Sequence, residues 1–175
     1  MFGKWGRCNQ LAFLLFCKIN KKEAQEIAFD YINNNRVNLN TQDKYGNTPL
    51  HIAVINNNEN VFMALIKAGA ETDIENDKGE RAIDIALLKC CEENNKELVS
   101  FLIERGADVN YENPEGKRPL DCLNESAPNF EKVARLLIDK GARPSPNPCI
   151  SESQNPDQTN RILTRMRILI NKGMS

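Results

Sequence analysis

The 175-residue sequence has little of what enzymes and nucleic-acid-binding proteins use at their sites. It contains one histidine, one tryptophan and 6% aromatic residues, and its formal charge at pH 7 is −1. A nucleic-acid-binding face is usually strongly basic, so this balance argues against such a partner. The apolar run at residues 11–17, LAFLLFC, is far shorter than the roughly 20 residues of a membrane-spanning helix. We therefore expect neither a nucleic-acid partner nor a membrane span.

The sequence also lacks the residue spacings typical of metal sites, phosphate-binding loops and disulfide frameworks. The six cysteines show no C-x-x-C spacing, and no G-x-x-x-x-G-K-[ST] motif is present. One histidine with scattered cysteines gives no zinc-binding spacing. We therefore expect no cofactor, no metal, and free thiols in a reducing, cytoplasmic compartment. Because LAFLLFC is not followed by a small-residue cleavage site, it predicts a buried helix rather than a signal peptide.

The sequence does contain a pattern that recurs at a nearly regular spacing. Gly69, Gly106, Gly141 and Gly173 each close an apolar helical pattern, and their spacings are 37, 35 and 32 residues. A period near 33 residues is typical of stacked units, none of which can bury its apolar face alone. Gly69 is expected to end its helix in the left-handed conformation.

The clearest unit lies between Asp43 and Glu75. Gly46 and Asn47 suit a tight turn, Thr48 suits a helix N-cap, and Pro49 suits the first helical position. The stretches GNTPLHIA and LIKAGA resemble the ankyrin repeat, a β-turn followed by two antiparallel helices.

This resemblance implies an all-α ankyrin-repeat solenoid built of helix-turn-helix units with short β-hairpin-like turns. The sequence divides into three central repeats between two degenerate caps, all in one domain over residues 1–175. The predicted boundaries are an N-terminal cap repeat at 1–41, repeats at 42–75, 76–112 and 113–144, and a polar loop with a C-terminal capping helix at 145–175.

The repeats differ in detail. In the second central repeat, four extra residues near CCEENN predict either a longer first helix or a longer inter-helix loop. The third has a lengthened loop at NESAPN. In the N-terminal cap, Leu11, Leu14 and Leu15 form the apolar stripe of the first helix, and such a stripe is expected to be buried.

The resemblance also implies function: a non-enzymatic module that binds another protein. His51 stands in the TPLH element, where family histidines tie neighbouring turns by hydrogen bonds, and Cys90 and Cys91 have no evident catalytic geometry. Asn110 stands where ankyrin repeats can be hydroxylated on asparagine.

Partners of ankyrin repeats usually bind the concave side, formed by hairpin tips and first helices. Tyr45 and Ile55 stand out there, because exposed aromatic and apolar side chains are preferred interface anchors. Carried over position by position, the predicted partner-binding residues are Lys44, Tyr45, Asn47, Ile55, Asn56, Asp77, Lys78, Glu80, Leu88, Lys89, Glu115 and Lys117.

Alternatives stay open at this point. Compact ankyrin proteins rich in Asn and Lys resemble effectors that intracellular bacteria secrete into a host cell, with residues 145–175 as a delivery signal. A small enzyme with an unrecognised active site is a further alternative, and the chain is expected to be a monomer or weak dimer. Near the C-terminus, four basic residues suit either a solvated outer face, which we favour, or contact with a membrane or acidic partner; they are Arg161, Arg165, Arg167 and Lys172.

Overall fold

The computed structural model describes residues 4–34, 36–145, 164 and 168, with side chains from residue 9 onward. Its helices are α1 (Lys4–Lys18), α2 (Lys22–Asn33), α3 (Pro49–Ile55), α4 (Glu59–Lys67), α5 (Ala82–Glu92), α6 (Lys96–Glu104), a 3₁₀ helix (Pro119–Cys122) and α7 (Phe130–Asp139). Extended pairing in the described part is limited to a single antiparallel bridge between Glu75 and Arg81. The predicted all-α class is confirmed.

The chain divides into two compact units, residues 1–83 and 84–175. The division falls within the first turn of α5, inside the predicted 76–112 repeat. The single domain over 1–175, like the repeat boundaries, stays a prediction.

The first unit is built from two helical hairpins. In each hairpin the two helices pack on each other, and between hairpins α1 contacts α3 while α2 contacts α4. Its core contains fully buried side chains from all four helices, among them Phe13, Ala28, Ala53 and Leu65. Burying a large apolar side chain of this kind contributes roughly 1.5–3 kcal/mol, so the hairpins stabilise each other.

Local signals start and stop these helices where the sequence predicts. The Thr48 hydroxyl accepts from the backbone N–H of His51, and Pro49 occupies the first turn of α3. Beyond α3 the chain turns at Asn57, whose φ is +55°, a conformation that asparagine tolerates better than most residues. The predicted left-handed conformation is confirmed at Gly69, at the end of α4, where φ is +88°. Gly106 and Gly141 adopt it too after α6 and α7, with φ of +90° and +87°. Gly173 lies outside the described residues.

A repeated side-chain acceptor shapes the hairpin tips. Its oxygen accepts from the backbone N–H groups two and four residues later, at 2.8–3.1 Å, an arrangement that mimics a backbone turn. The acceptors are Asp43, Asn76 and Asn113. Sequence reasoning assigned the first of these turns to Gly46 and Asn47 and did not identify the side-chain acceptors.

The register of α1 corrects the predicted stripe. Phe13, Leu14 and Cys17 are buried, whereas Leu11 and Leu15 are exposed. Since Phe13 and Cys17 are four residues apart, they lie on one face of the helix, and the pair Leu11 and Leu15 lies on a neighbouring face. That neighbouring face is left open.

A buried asparagine fastens the loop after α1 to the loop after α3. The Asn58 amide nitrogen donates to the carbonyl oxygens of Cys17 and Ile19, both at 3.3 Å. Its oxygen accepts from Gln25 at 2.9 Å. The side chain is fully buried, so these bonds cannot be replaced by water.

Asn58→Ala is expected to lower the free energy of unfolding by about 2 kcal/mol, because two carbonyl oxygens lose a buried donor. Chemical denaturation followed by circular dichroism would measure the change. Asn60→Ala is the control, since Asn60 is exposed and makes a single bond to Gln25; equal losses in the two variants would contradict the role of Asn58.

In the second unit the structure decides between the two alternatives for CCEENN. The helix α5 has 11 residues where α3 has seven, so the four extra residues extend the helix by about one turn. The loop that follows is short and turns at Asn94, with φ +50°. In the third repeat the first helix is a single 3₁₀ turn, and residues 124–129 form the predicted longer loop.

Aspartates stand in the second unit where His51 stands in the first. Asp84 is buried and accepts from the backbone N–H of Asp108 at 2.7 Å. Asp121 accepts from the N–H groups of Arg118 and Ser145 at 3.0 and 3.2 Å. Burial raises the pKa of the Asp121 carboxyl. Asp84 therefore fastens the start of α5 to the backbone of the segment after α6. Asp121 likewise fastens the 3₁₀ helix to the backbone of the segment after α7.

Candidate functional site

The hydrogen bonds of His51 select one tautomer of its ring. Its Nε2 lies 2.8 Å from the Glu80 carbonyl oxygen, which can only accept, so Nε2 carries the proton. Its Nδ1 then accepts, and lies 2.8 Å from the Thr48 hydroxyl and 3.2 Å from the Thr48 backbone nitrogen. The ring is fully buried, and burial lowers its pKa. Both nitrogens are engaged, as the interpretation of His51 as a tie between turns requires.

The thiols of Cys17, Cys91 and Cys122 are poorly suited to nucleophilic chemistry. Burial raises the pKa of Cys17 and of Cys122 to about 12, and it raises that of Cys91 further. The thiolate is the reactive form, so these thiols stay protonated and weakly reactive near neutral pH. Across the described residues no group of three or more His, Cys, Asp or Glu side chains could hold a metal ion. The described helices also include none that is long and apolar enough to cross a membrane.

An open groove of about 830 Å³ lies in the first unit, between α1, the hairpin before α3, and α3 itself. Its apolar lining comes from all three segments, and its polar lining comes mainly from the hairpin. The apolar residues are Leu11, Leu14, Leu15, Tyr45, Ile52 and Ile55, and the polar residues are Gln10, Lys18, Thr41, Gln42, Asp43, Lys44, Asn47 and Asn56.

Four apolar side chains in this groove are strongly exposed. Leu11 and Leu15 on α1 are 65% and 60% exposed, and Tyr45 and Ile55 are 58% and 50% exposed. Single exposed apolar residues are ordinary, but several converging on one concavity mark a binding surface. We call Leu11, Leu15, Tyr45 and Ile55 the apolar cluster.

The tip that carries Tyr45 is rigidly built. The Asp43 carboxylate accepts from the N–H groups of Tyr45 and Asn47 at 2.8 and 2.9 Å. The Tyr45 carbonyl accepts from the Asp77 N–H at 3.1 Å, and the Lys44 ammonium lies 4.7 Å from the centre of the Tyr45 ring. A pre-organised aromatic side chain loses little entropy when a partner binds it.

Five of the predicted partner-binding residues line the groove: Lys44, Tyr45, Asn47, Ile55 and Asn56. Three others belong to the next hairpin tip and do not line it. Of these, Asp77 and Lys78 are exposed, whereas Glu80 is half-buried and accepts from the Asn76 amide at 3.1 Å.

The remaining predicted residues lie in the second unit. The prediction that Leu88 lies on an open surface is wrong, because its side chain is buried. Ile55 ends α3, but α5 continues one turn past Leu88, which places Leu88 in mid-helix. Lys89 is half-buried, with its pKa lowered by burial. Glu115 and Lys117 form an ion pair at 3.3 Å.

Sequence reasoning missed Leu11 and Leu15 as surface residues. The available signal was their spacing, since residues four apart share a helix face and Phe13 with Cys17 forms a competing pair. Nothing in the pattern says which pair faces the neighbouring helix.

Comparison with known families identifies the repeats. Residues 31–86 match the family model described as ankyrin repeats (many copies), and residues 84–114 match the model described as ankyrin repeat. The chain therefore carries ankyrin repeats, and its paired helices are the fold that these repeats form. Ankyrin repeats are protein-interaction modules and are generally non-enzymatic.

Similar curated proteins share a short segment with this chain. Palmitoyltransferase ZDHHC17 of Homo sapiens is 49% identical over 51 residues, and Palmitoyltransferase ZDHHC13 of Pongo abelii is 50% identical over 50. Regulatory protein SWI4 of Saccharomyces cerevisiae is 45% identical over 50. These matches cover 28–29% of this chain but only 5–8% of each relative. The similarity is thus a similarity of repeats, and it does not transfer any activity of these proteins to this chain.

Some expectations stay predictions. Hydroxylation of Asn110 is one: its side-chain oxygen accepts from the Arg143 N–H at 2.8 Å and its amide donates to the Gly141 carbonyl at 3.1 Å. In the C-terminal segment, Thr164 and Ile168 are helical. The predicted loop and the basic residues Arg161, Arg165, Arg167 and Lys172 lie outside the described residues. The effector interpretation of that segment is likewise untested.

Proposed function

We propose that this chain binds a partner protein through the groove of its first unit and acts as an adaptor, scaffold or inhibitor without catalysis or cofactor. The observation that carries the proposal is the apolar cluster, four exposed side chains from three segments that converge on one groove. The ankyrin repeats support the general class of function, protein binding, and the apolar cluster supports the choice of the binding face.

The energetics favour this face. Removing apolar surface from water contributes about 25 cal/mol per Å², and the cluster presents four large side chains on ordered backbone. Tyrosine is among the residues that most often dominate interface energies. Because Asp43 fixes the hairpin tip, a partner binds a preformed surface. Little of the free energy gained from burial is then lost to ordering that surface.

The chemistry of the described residues supports a binding role over an enzymatic one. His51, the one histidine of the chain, has both ring nitrogens engaged. The thiols of Cys17, Cys91 and Cys122 are held protonated by burial. Free buried thiols at Cys17 and Cys91 also support our proposal of a reducing, cytoplasmic location, which for an effector is the host cell.

The direct test is the double variant Tyr45→Ser/Ile55→Ser. We expect it to bind partner proteins captured by the wild-type chain at least about tenfold more weakly, because two anchors of the cluster are lost. Helix content and melting temperature should stay nearly unchanged, since both side chains are at least half exposed. Quantitative capture followed by titration with the captured protein measures both affinities.

The matched control is Ile19→Ser/Ile27→Ser. These side chains are 41% and 40% exposed and do not line the groove, so the control removes similar exposed apolar surface elsewhere in the same unit. Equal affinity of wild type and the Tyr45/Ile55 variant, or equal losses in both variants, would reject the groove as the binding face.

A further inference from the structure

The groove carries charge as well as apolar surface, and lysines outnumber carboxylates among its charged side chains. Three charged side chains line it: Lys18, Lys44 and Asp43. The Asp43 carboxylate is used within the hairpin, where it accepts from two backbone N–H groups. Both lysines are exposed, and neither forms an ion pair with another residue in the described part of the chain.

The two lysines stand at opposite ends of the groove. Gln10 on α1 exchanges two hydrogen bonds with the backbone of Asn38, in the segment that leads to the hairpin tip carrying Lys44. At the other end of α1, the carbonyls of Cys17 and Ile19 are held by Asn58, which follows α3. Lys18 therefore lies at the α3 C-terminal end of the groove, and Lys44 lies at the hairpin end.

The length between these ends matches a short helix. From Gln10 to Lys18, α1 rises about 12 Å, which is a little over two helical turns. Between the cations lie the exposed side chains of Leu11 and Leu15 on one wall and Ile55 on the other. This surface is complementary to a segment with an apolar stripe between two negative ends.

We propose that the groove binds an amphipathic helical segment of a partner protein that has bulky apolar residues on one face and carboxylates near both ends. This inference rests on the proposed function and adds the chemistry of the partner. Charge complementarity selects the partner and sets its orientation, while the apolar cluster supplies most of the affinity.

The test uses a phage-displayed library of random peptides of about three to four helical turns, selected on the full chain at about 0.15 M salt. Selected sequences should combine apolar residues at helical spacing with Asp or Glu near both ends. Selection on Lys18→Glu/Lys44→Glu should instead enrich Lys and Arg at those positions. Peptides selected on the wild type should bind this variant about tenfold more weakly, since two exposed ion pairs with the peptide are replaced by like-charge repulsion.

The matched control is Lys21→Glu/Lys22→Glu. It changes the net charge equally, and both lysines are exposed and do not line the groove. Affinity for the selected peptides should be nearly unchanged in this control. Circular dichroism melting of both variants checks that each remains folded.

The possible outcomes separate the two proposals. Peptides lost on Tyr45→Ser/Ile55→Ser but bound equally by Lys18→Glu/Lys44→Glu would keep the groove and overturn its preference for acidic segments. Peptides that bind both variants as tightly as they bind the wild type would overturn the proposed function as well. Failure to enrich any peptide, or self-association of the chain that Tyr45→Ser/Ile55→Ser abolishes, would overturn the proposal of an acidic helical partner.

Discussion

His51→Ala is expected to lower the free energy of unfolding by about 3 kcal/mol. The substitution leaves the Thr48 N–H and the Glu80 carbonyl without their partner in a buried setting, and each unsatisfied buried group costs about 1–3 kcal/mol. It also removes a fully buried ring, which adds the cost of a cavity. Urea denaturation at pH 7.5 would measure the loss.

The same residue should make stability depend on pH. Burial lowers the pKa of His51 in the folded protein, so the unfolded chain binds a proton below about pH 6.5 that the folded chain resists. The stabilisation is therefore present above about pH 6.5 and is lost as the pH falls toward the folded-state pKa. For one proton the slope reaches at most about 1.4 kcal/mol per pH unit.

The control for this effect is the alanine variant itself. Because the chain has one histidine, the difference between the wild-type and His51→Ala pH profiles isolates this ring. The raised pKa of Asp121 acts in the opposite direction, toward acidic pH, and is common to both proteins. Profiles that run parallel between pH 7.5 and pH 5.5 would show that burial does not lower the pKa of His51 in the folded protein.

Gly46→Ala is expected to cost about 3 kcal/mol. Gly46 has a φ of +73°, and a Cβ added there would lie 2.6 Å from the Asp77 carboxylate oxygen and 2.7 Å from the Asp77 backbone nitrogen. The left-handed conformation alone costs a non-glycine residue roughly 1–2 kcal/mol. The Asp77 backbone cannot retreat easily, because its N–H donates to the Tyr45 carbonyl.

Gly79→Ala provides the matched control at the following hairpin tip. Gly79 has the same φ of +73°, but nothing lies within 4 Å of its added Cβ. We expect a loss of about 1 kcal/mol there, from conformation alone. Thermal or urea denaturation of both variants gives the difference, and similar losses would show that the contact with Asp77 is accommodated without strain.

Much of the first unit could be predicted because its signals are local. Thr48 and Pro49 fix the start of α3, and Gly69 fixes the end of α4, through backbone geometry that depends on a few neighbouring residues. The same holds for the glycine at the end of each later described repeat. Tyr45 was found for a related reason: a large side chain on a turn tip has no core to enter.

The errors concern residues whose surroundings are set by other elements. Whether Leu11 or Phe13 faces inward depends on where α2 and α3 pack, and the apolar pattern of α1 suits either face. Leu88 was misplaced because a position matched to Ile55 is buried once α5 continues for another turn.

By itself the sequence determined the repeat unit, the start of α3 and the glycines that end α4, α6 and α7, because each depends on φ and ψ preferences within a few residues. The tertiary structure alone decided that Leu11 and Leu15 join Tyr45 and Ile55 in one groove with Lys18 and Lys44 at its ends. That arrangement depends on which faces of α1 and α3 bury each other, and burial is a property of contacts between segments distant in the chain.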